Sequence, residues 1–222
     1  MEKKKKIYLD YAATTPVDPA VLRAMQPYFS DIFGNAGSLH SFGQEASAAL
    51  DVSRETIAKE LGADFRDVIF TSSATEANNL ALRGITRMTR AHTNATNFTP
   101  RIITSAIEHE SILETCRDLE KGGVEVVFLP VDKNGAVQLN ALRESLNENT
   151  ILVSVMSANN EVGSIQPIGE ITDLIRKFKT HSDTINRIGG SKHVLQEKGE
   201  LRYPLFHVDH SQGFQYLDLK PK

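Results

Sequence analysis

Apolar positions along this chain follow two alternating patterns, one at helical spacing and one in short continuous runs. Asp18-Pro19 reads as a helix start, a cap followed by a first-turn proline, and Val21, Leu22, Met25, Phe29 and Ile32 follow at helical intervals. Pro27 should kink that helix or split it in two. The polar stretch Gly34-Asn35-Ala36-Gly37-Ser38 separates it from a longer helix with Ala46, Leu50, Ile57 and Leu61 on its apolar face. Gly62 is the natural stop of that helix.

A repeating unit then begins, a β-branched or aromatic run followed by a helix. Val68 to Thr71 predicts a strand and Thr75 to about Arg90 a helix; Ile102 to Ser105 predicts a strand and Ser111 to Lys121 a helix ended by Gly122-Gly123. Val124 to Leu129 is the next predicted strand, with a short helix over Leu139 to Leu146. Ile151 to Met156 is a strongly apolar strand, Ile168 to Phe178 a helix, and Leu205 to Val208 a closing strand. Near-continuous apolar strands alternating with helices predict an α/β fold with a mostly parallel sheet flanked by helices. Two segments break the rhythm: Thr86 to Pro100, rich in Thr, Asn and Arg, and Lys179 to Pro204, too long for an ordinary connection and read as a surface insertion.

Composition narrows the class. The 222 residues are 40 % hydrophobic and 24 % charged, ordinary globular usage that sets aside disordered, collagen-like and coiled-coil readings. Lys plus Arg number 25 against 28 Asp plus Glu, so neither nucleic acid nor an anionic membrane is an expected partner. The longest apolar runs have strand length, short of the roughly 20 residues of a membrane helix. MEKKKK at the start is followed by Asp10 and Pro16 where a signal peptide needs an apolar core. A single cysteine, Cys116, allows no internal disulfide, and the expected location is cytoplasmic. Cys116 falls at helical spacing with Ile112, Leu113 and Leu119, a core position rather than that of a nucleophile.

In a parallel α/β sheet ligands bind beyond the C-terminal ends of the strands. Four predicted strand ends carry polar groups: Ser72, Ser73 and Thr75; Glu108 and His109; Asn159, Asn160 and Glu161; Asp209, Ser211 and Gln212. Loops are polar in any case, but four coinciding edges favour a site. The turn before Thr75 reads either as a Ser/Thr helix cap or as a phosphate cradle, with unpaired amides, a positive helix end and hydroxyls from Ser72, Ser73 and Thr75. Neither G-x-G-x-x-G nor G-x-x-x-x-G-K-[ST] occurs after a strand, so dinucleotide and P-loop readings lack their fingerprints. His109 can stack on an aromatic ligand and move a proton, or merely cap a helix. Asp209 wants a cationic partner if buried, which His207 and His210 could supply; these three could also hold zinc, but without a recognised spacing, and no metal is expected.

These motifs meet a known family. Ile7-Tyr8-Leu9-Asp10-Tyr11-Ala12-Ala13-Thr14-Thr15-Pro16, Gly34-Asn35, Ser38-Leu39-His40, Phe70-Thr71-Ser72-Ser73-Ala74-Thr75-Glu76-Ala77-Asn78-Asn79, Glu108-His109, Asn159-Asn160-Glu161-Val162-Gly163 and His207-Val208-Asp209 with Gln212 resemble, in order, the cysteine desulfurases. These are pyridoxal 5′-phosphate enzymes of the class V aminotransferase group, with the fold type I large domain. The resemblance implies that Ala74 and Thr75 hold the cofactor phosphate, that His109 stacks on its ring and helps proton transfer, and that Asp209 pairs with the ring nitrogen. Asn160 and Gln212 would hydrogen-bond around the ring, and Asn35 and His40 would lie near the substrate. It further implies sulfur transfer from L-cysteine, giving alanine and an enzyme persulfide for iron-sulfur cluster or thio-cofactor assembly. The implied partners are a homodimeric mate and sulfur-accepting scaffold or carrier proteins. Alternatives are another class V enzyme, an aminotransferase or a selenocysteine lyase, and a non-catalytic half of a split protein.

The chain departs from the family pattern at Asn35-Ala36-Gly37-Ser38, where a proline is usual, and at His210, where a small residue is usual. Lys220 and Lys222 do not match the motif of the lysine that carries the cofactor, and Cys116 does not match the sulfur-accepting cysteine. The expectation is therefore an N-terminal segment, 1–33, and a cofactor-binding domain, 34–222, truncated before both residues and inactive by itself.

Overall fold

The computed structural model describes residues 6–92, 98–189 and 204–217, which divide into two units, residues 6–70 and Thr71–Leu217. In the first unit Asp18 caps α1 (Pro19–Met25), its Oδ1 accepting the Ala20 amide at 2.7 Å. Pro27 cannot donate into that helix, and the chain restarts as α2 (Pro27–Ser30), the split that the sequence predicts. Helix α3 (Ser41–Leu61) ends at Gly62, whose φ of 67° is left-handed. Its apolar face is only partly covered within the unit, with Leu50 46 % exposed.

Val68 to Thr71 is not a strand. Residues 65–67 form a 3-10 turn capped by Asp64, and the following segment pairs with no strand among the described residues. It is tied instead to α3, where Arg54 Nε donates to the Val68 carbonyl at 3.3 Å and the guanidinium lies 5.2 Å from both the Phe65 and Phe70 ring centres. β-branched residues favour extension, but a ladder partner makes the strand.

The second unit runs α4 (Ala74–His92), β1 (Arg101–Ser105), α5 (Glu110–Lys121), β2 (Glu125–Leu129), α6 (Leu139–Ser145), β3 (Thr150–Ser154), α7 (Ile168–Gly189) and β4 (Leu205–His207). All strand pairs are parallel, in the order β2-β1-β3-β4. Residues alternate between the two faces of the sheet. Ile102, Leu152 and Leu205 stand in register and meet Leu82, Ile85, Ile112 and Cys116 of α4 and α5. Ile103 and Val153 point the other way and pack with Leu142 of α6 and Ile171 and Ile175 of α7. The result is a sheet flanked by helices, as predicted, and truncating a fully buried residue such as Leu82 costs about 2–5 kcal/mol.

Helix α7 continues past Phe178 to Gly189, so the first part of the predicted insertion is helical. No proline or glycine interrupts the sequence between those residues, and an established helix propagates readily. The rest of that segment, 190–203, lies outside the described residues, as do the lysine-rich start, 1–5, and Lys220 and Lys222. The described residues contain no helix long and apolar enough to cross a membrane.

Candidate functional site

In the second unit the C-terminal ends of β1, β3 and β4 and the N-termini of α4 and α5 bring polar groups together. Ser73 starts α4, its Oγ accepting the Glu76 amide at 3.2 Å. The Glu76 carboxylate reaches back to the Ser72 amide at 2.6 Å and the Ser72 hydroxyl at 2.7 Å. Those contacts, the hydroxyl first, hold its pKa below the usual carboxylate range. The expectation that all three hydroxyls can donate is corrected at Ser72, whose hydrogen goes to Glu76, whereas Ser73 accepts in the cap and keeps its own. The Ala74 and Thr75 amides and the Thr75 hydroxyl donate to no described residue.

One turn into α4, Asn78 is buried, and its side-chain nitrogen donates to Asp209 Oδ2 and to Ser111 Oγ, both at 2.9 Å. A carboxylate only accepts, so the amide NH2 rather than its oxygen faces Asp209. Asp209 Oδ1 accepts the Ser211 amide at 3.0 Å and its hydroxyl at 2.7 Å. Burial works to raise the Asp209 pKa, but the Ser211 amide, Asn78, the Ser211 hydroxyl and the charge of His207 together bring it below the ordinary value. The expected pairing of Asp209 with its flanking histidines is not what forms. His207 Nδ1 lies 2.9 Å from Ser154 Oγ and His210 Nδ1 2.7 Å from Ser157 Oγ. Burial lowers the His207 pKa, with Asp209 opposing, and the described residues form no metal-binding cluster.

His109 caps α5. Its Nδ1 accepts the Ser111 amide at 3.1 Å and lies 2.9 Å from Ser111 Oγ. An amide N–H can only donate, so Nδ1 is bare, the Ser111 hydroxyl donates to it, and the ring proton sits on Nε2. Beside it Glu108, 5 % exposed, accepts from Ser105 Oγ at 2.5 Å and from the Met156 amide. Burial is the main cause that pushes its pKa up to about 7, against those two hydrogen bonds.

Of the neighbouring asparagines, Asn159 is buried and structural, its Oδ1 accepting the Glu161 and Val162 amides at 2.9 and 2.8 Å and its Nδ2 donating to the Ile107 carbonyl. Asn160 is half-buried and its Nδ2 donates to Glu161 Oε1 at 3.4 Å, while Gln212 is exposed. Thr75 and His109 line an open cleft of about 610 Å³ that continues along α4 and α5 past Asn79 and Ser111; Asp209, Asn160 and Gln212 lie outside it. In the first unit Asn35 Oδ1 accepts the Gly37 amide at 2.9 Å, and His40 caps α3 through a long 3.4 Å bond from the Gly43 amide. Gly43 is required there, since a Cβ would stand 2.3 Å from the Ser38 carbonyl oxygen and 2.7 Å from that of Asn35.

Comparison with known proteins decides the family: the aminotransferase class-V family matches residues 7–199. The chain belongs to this family. Among curated relatives, the cysteine desulfurase IscS of Dictyoglomus turgidum is 43 % identical over 207 residues, 92 % of this chain and 50 % of that protein. That of Rickettsia africae is 45 % identical over 186 residues, 82 % of this chain and 44 % of the relative. Among solved structures, a NifS-like protein aligns with a TM-score of 0.74 at 38 % identity, covering 79 % of this chain and 47 % of the other. SspA in complex with cysteine aligns at 0.70 and 36 %, covering 77 % of this chain and 47 % of the other. The chain spans about half the length of the curated relatives it matches.

Members of this family depend on pyridoxal 5′-phosphate. The donor set fits that group: uncommitted amides at the start of α4 suit its phosphate, and a carboxylate held ionised suits its ring nitrogen. The connection is Asn78, one turn into α4, which ties that helix to Asp209. Asn78 and Ser111 carry no site reading from the sequence, while Glu108 and Ser211 stand among the polar strand ends without an assigned role. The available signal for Asn78 was a polar residue in helical step with Leu82, Ile85 and Thr89 on a buried face.

Proposed function

We propose that this chain provides the pyridoxal-phosphate site of a cysteine desulfurase. The observation that carries the reading is the Asn78 contact to Asp209, which ties an ionised carboxylate to α4 one turn beyond its free amides. The identity to curated cysteine desulfurases and to SspA in complex with cysteine supports the choice of reaction and of L-cysteine as substrate.

In this reading the Ala74 and Thr75 amides and the Thr75 hydroxyl receive phosphate oxygens, and Asp209 holds a proton on the ring nitrogen. A charge-assisted contact of the latter kind is worth about 1.5–3 kcal/mol. When bound, the cofactor supplies electron withdrawal from the substrate. His109 stacks with Nε2–H as its donor, and Asn160 and Gln212 hydrogen-bond around the ring. The substrate-side role of Asn35 and His40 rests on the motif alone. Overall the C–S bond of L-cysteine breaks, sulfur passes to an acceptor thiol as a persulfide, and the thiol proton leaves with alanine. A homodimer, sulfur-accepting partner proteins and a cytoplasmic location belong to the same reading.

The test is to supply L-cysteine to the protein isolated from its native source and to quantify alanine and released sulfur. Equal amounts of both, lost in Asp209→Ala, are expected. Formation of a keto acid in place of alanine would identify another class V reaction and overturn the assignment.

A further inference from the structure

His109 and Asp209 lie on different elements, one at the start of α5 and the other beyond β4, yet hydrogen bonds connect them without a gap. The path runs from His109 Nδ1 to Ser111 Oγ at 2.9 Å, to Asn78 Nδ2 at 2.9 Å, and to Asp209 Oδ2 at 2.9 Å. The direction of every proton along it is fixed by two groups that cannot reverse. Asp209 only accepts while ionised, and the Ser111 amide, also on Nδ1, only donates. Asn78 therefore gives one amide hydrogen to each neighbour, and the Ser111 hydroxyl, having accepted from Asn78, has its own hydrogen left for His109. Asn78 is 3 % exposed and Ser111 9 %, so water does not readily replace either partner.

We infer that Asn78 is a positioning residue that aims the Asp209 carboxylate and, through the Ser111 hydroxyl, keeps the His109 ring proton on Nε2. The inference rests on the cofactor reading for its purpose but not for its geometry. In this state His109 presents a donor at Nε2, with Nδ1 covered by the Ser111 hydroxyl and amide. Readiness of the stacking ring is thus tied to the carboxylate that serves the ring nitrogen.

The experiment has two arms. In the first, the full chain is labelled with ¹⁵N-histidine and its imidazole nitrogens are observed by two-bond proton correlation, His109 being assigned with His109→Gln. The wild type is expected to show a bare Nδ1 and a protonated Nε2. Asn78→Ala and Ser111→Ala should each move the Nδ1 signal toward that of an unbonded nitrogen, the double variant no further than either single one, while His207 and His210 keep their resonances as evidence of folding. A proton on Nδ1 in the wild type, or an Nδ1 signal unmoved by Asn78→Ala, overturns the inference.

In the second arm the chain binds 4′-deoxypyridoxine 5′-phosphate, which has no aldehyde and needs no lysine. Asn78→Ala should weaken binding about tenfold, and that loss should vanish in an Asp209→Ala background. An equal loss in both backgrounds would overturn the inference, because the effect would not pass through Asp209. Absence of binding by the wild type would instead refute the cofactor reading and leave the NMR arm to decide the bridge.

Discussion

Glu108 Oε1 lies 2.9 Å from the Met156 amide nitrogen, so a carboxylate just beyond β1 holds the backbone just beyond β3. The same oxygen accepts the Ser105 hydroxyl at 2.5 Å, and together these contacts fix the turn that delivers His109 to α5. Burial opposes the charge that makes those bonds strong, and the Asp209 charge adds to the opposition.

This conflict has a signature in stability. The Glu108 pKa is raised from 4.5 to about 7, so between those values the folded chain binds a proton that the unfolded chain has released. Its contribution to stability is present in full below pH 4.5 and is lost as pH rises through 7, by at most about 1.4 kcal/mol per pH unit. His207, whose pKa burial lowers, has the opposite slope as pH falls below 6.5. The two overlap, which makes the difference between proteins the useful quantity. Glu108→Gln keeps an oxygen for the Met156 amide and does not titrate. Urea midpoints measured from pH 4.5 to 8 should show the variant gaining on the wild type as pH rises; parallel curves would refute the assignment.

Cys116 is fully buried among Leu82, Ile102 and Ile112, and burial, followed by the charges of Glu108 and Glu120, pushes its pKa up to about 12. The thiolate is the reactive form. A chromogenic disulfide reagent should leave the native chain unmodified and should find one thiol per chain in denaturant. Rapid modification of the native chain would show that the helix pair α4 and α5 opens without global unfolding.

The sheet and its helices were legible because β1 and β3 are apolar on both faces and the helices carry their own caps and stops. Val68 to Thr71 misled because β-branched residues report a preference for extension, whereas pairing depends on what lies alongside. At the site, residues acting through backbone groups and helix ends, such as Thr75 and His109, could be read from local sequence. Asn78 could not, since its partners Ser111 and Asp209 are 33 and 131 residues away, and only the parallel topology brings them to one edge. Asp209 shows the same limit from the other side: adjacency in sequence proposed His207 and His210 as its partners, but each imidazole is taken by a serine distant in sequence, Ser154 in β3 and Ser157 just beyond it.

The histidine at position 210, unusual for the motif it follows, has a defined place. Its Nδ1 lies 2.7 Å from Ser157 Oγ, and the Ser157 amide donates to the Asp209 carbonyl at 2.9 Å, so the ring and the backbone together clamp the segment bearing Asp209 to the end of β3. The ring fits because position 213 is glycine: a Cβ there would stand 2.5 Å from two His210 ring atoms and 2.7 Å from Ser157 Oγ. None of those atoms can retreat without breaking the His210 to Ser157 bond. Gly213→Ala should therefore destabilise the second unit by about 1–3 kcal/mol, the usual cost of overpacking. His210→Ala removes the ring, so in that background the same substitution should cost much less. The Ser157 hydroxyl remains free to rotate toward the Asp209 carbonyl, 3.4 Å away, and would keep part of the clamp. A double-mutant cycle read by urea unfolding measures the difference as a coupling energy. A coupling near zero would mean that the Gly213 Cβ is excluded by backbone rather than by His210, and that the imidazole is not the reason for glycine at this turn.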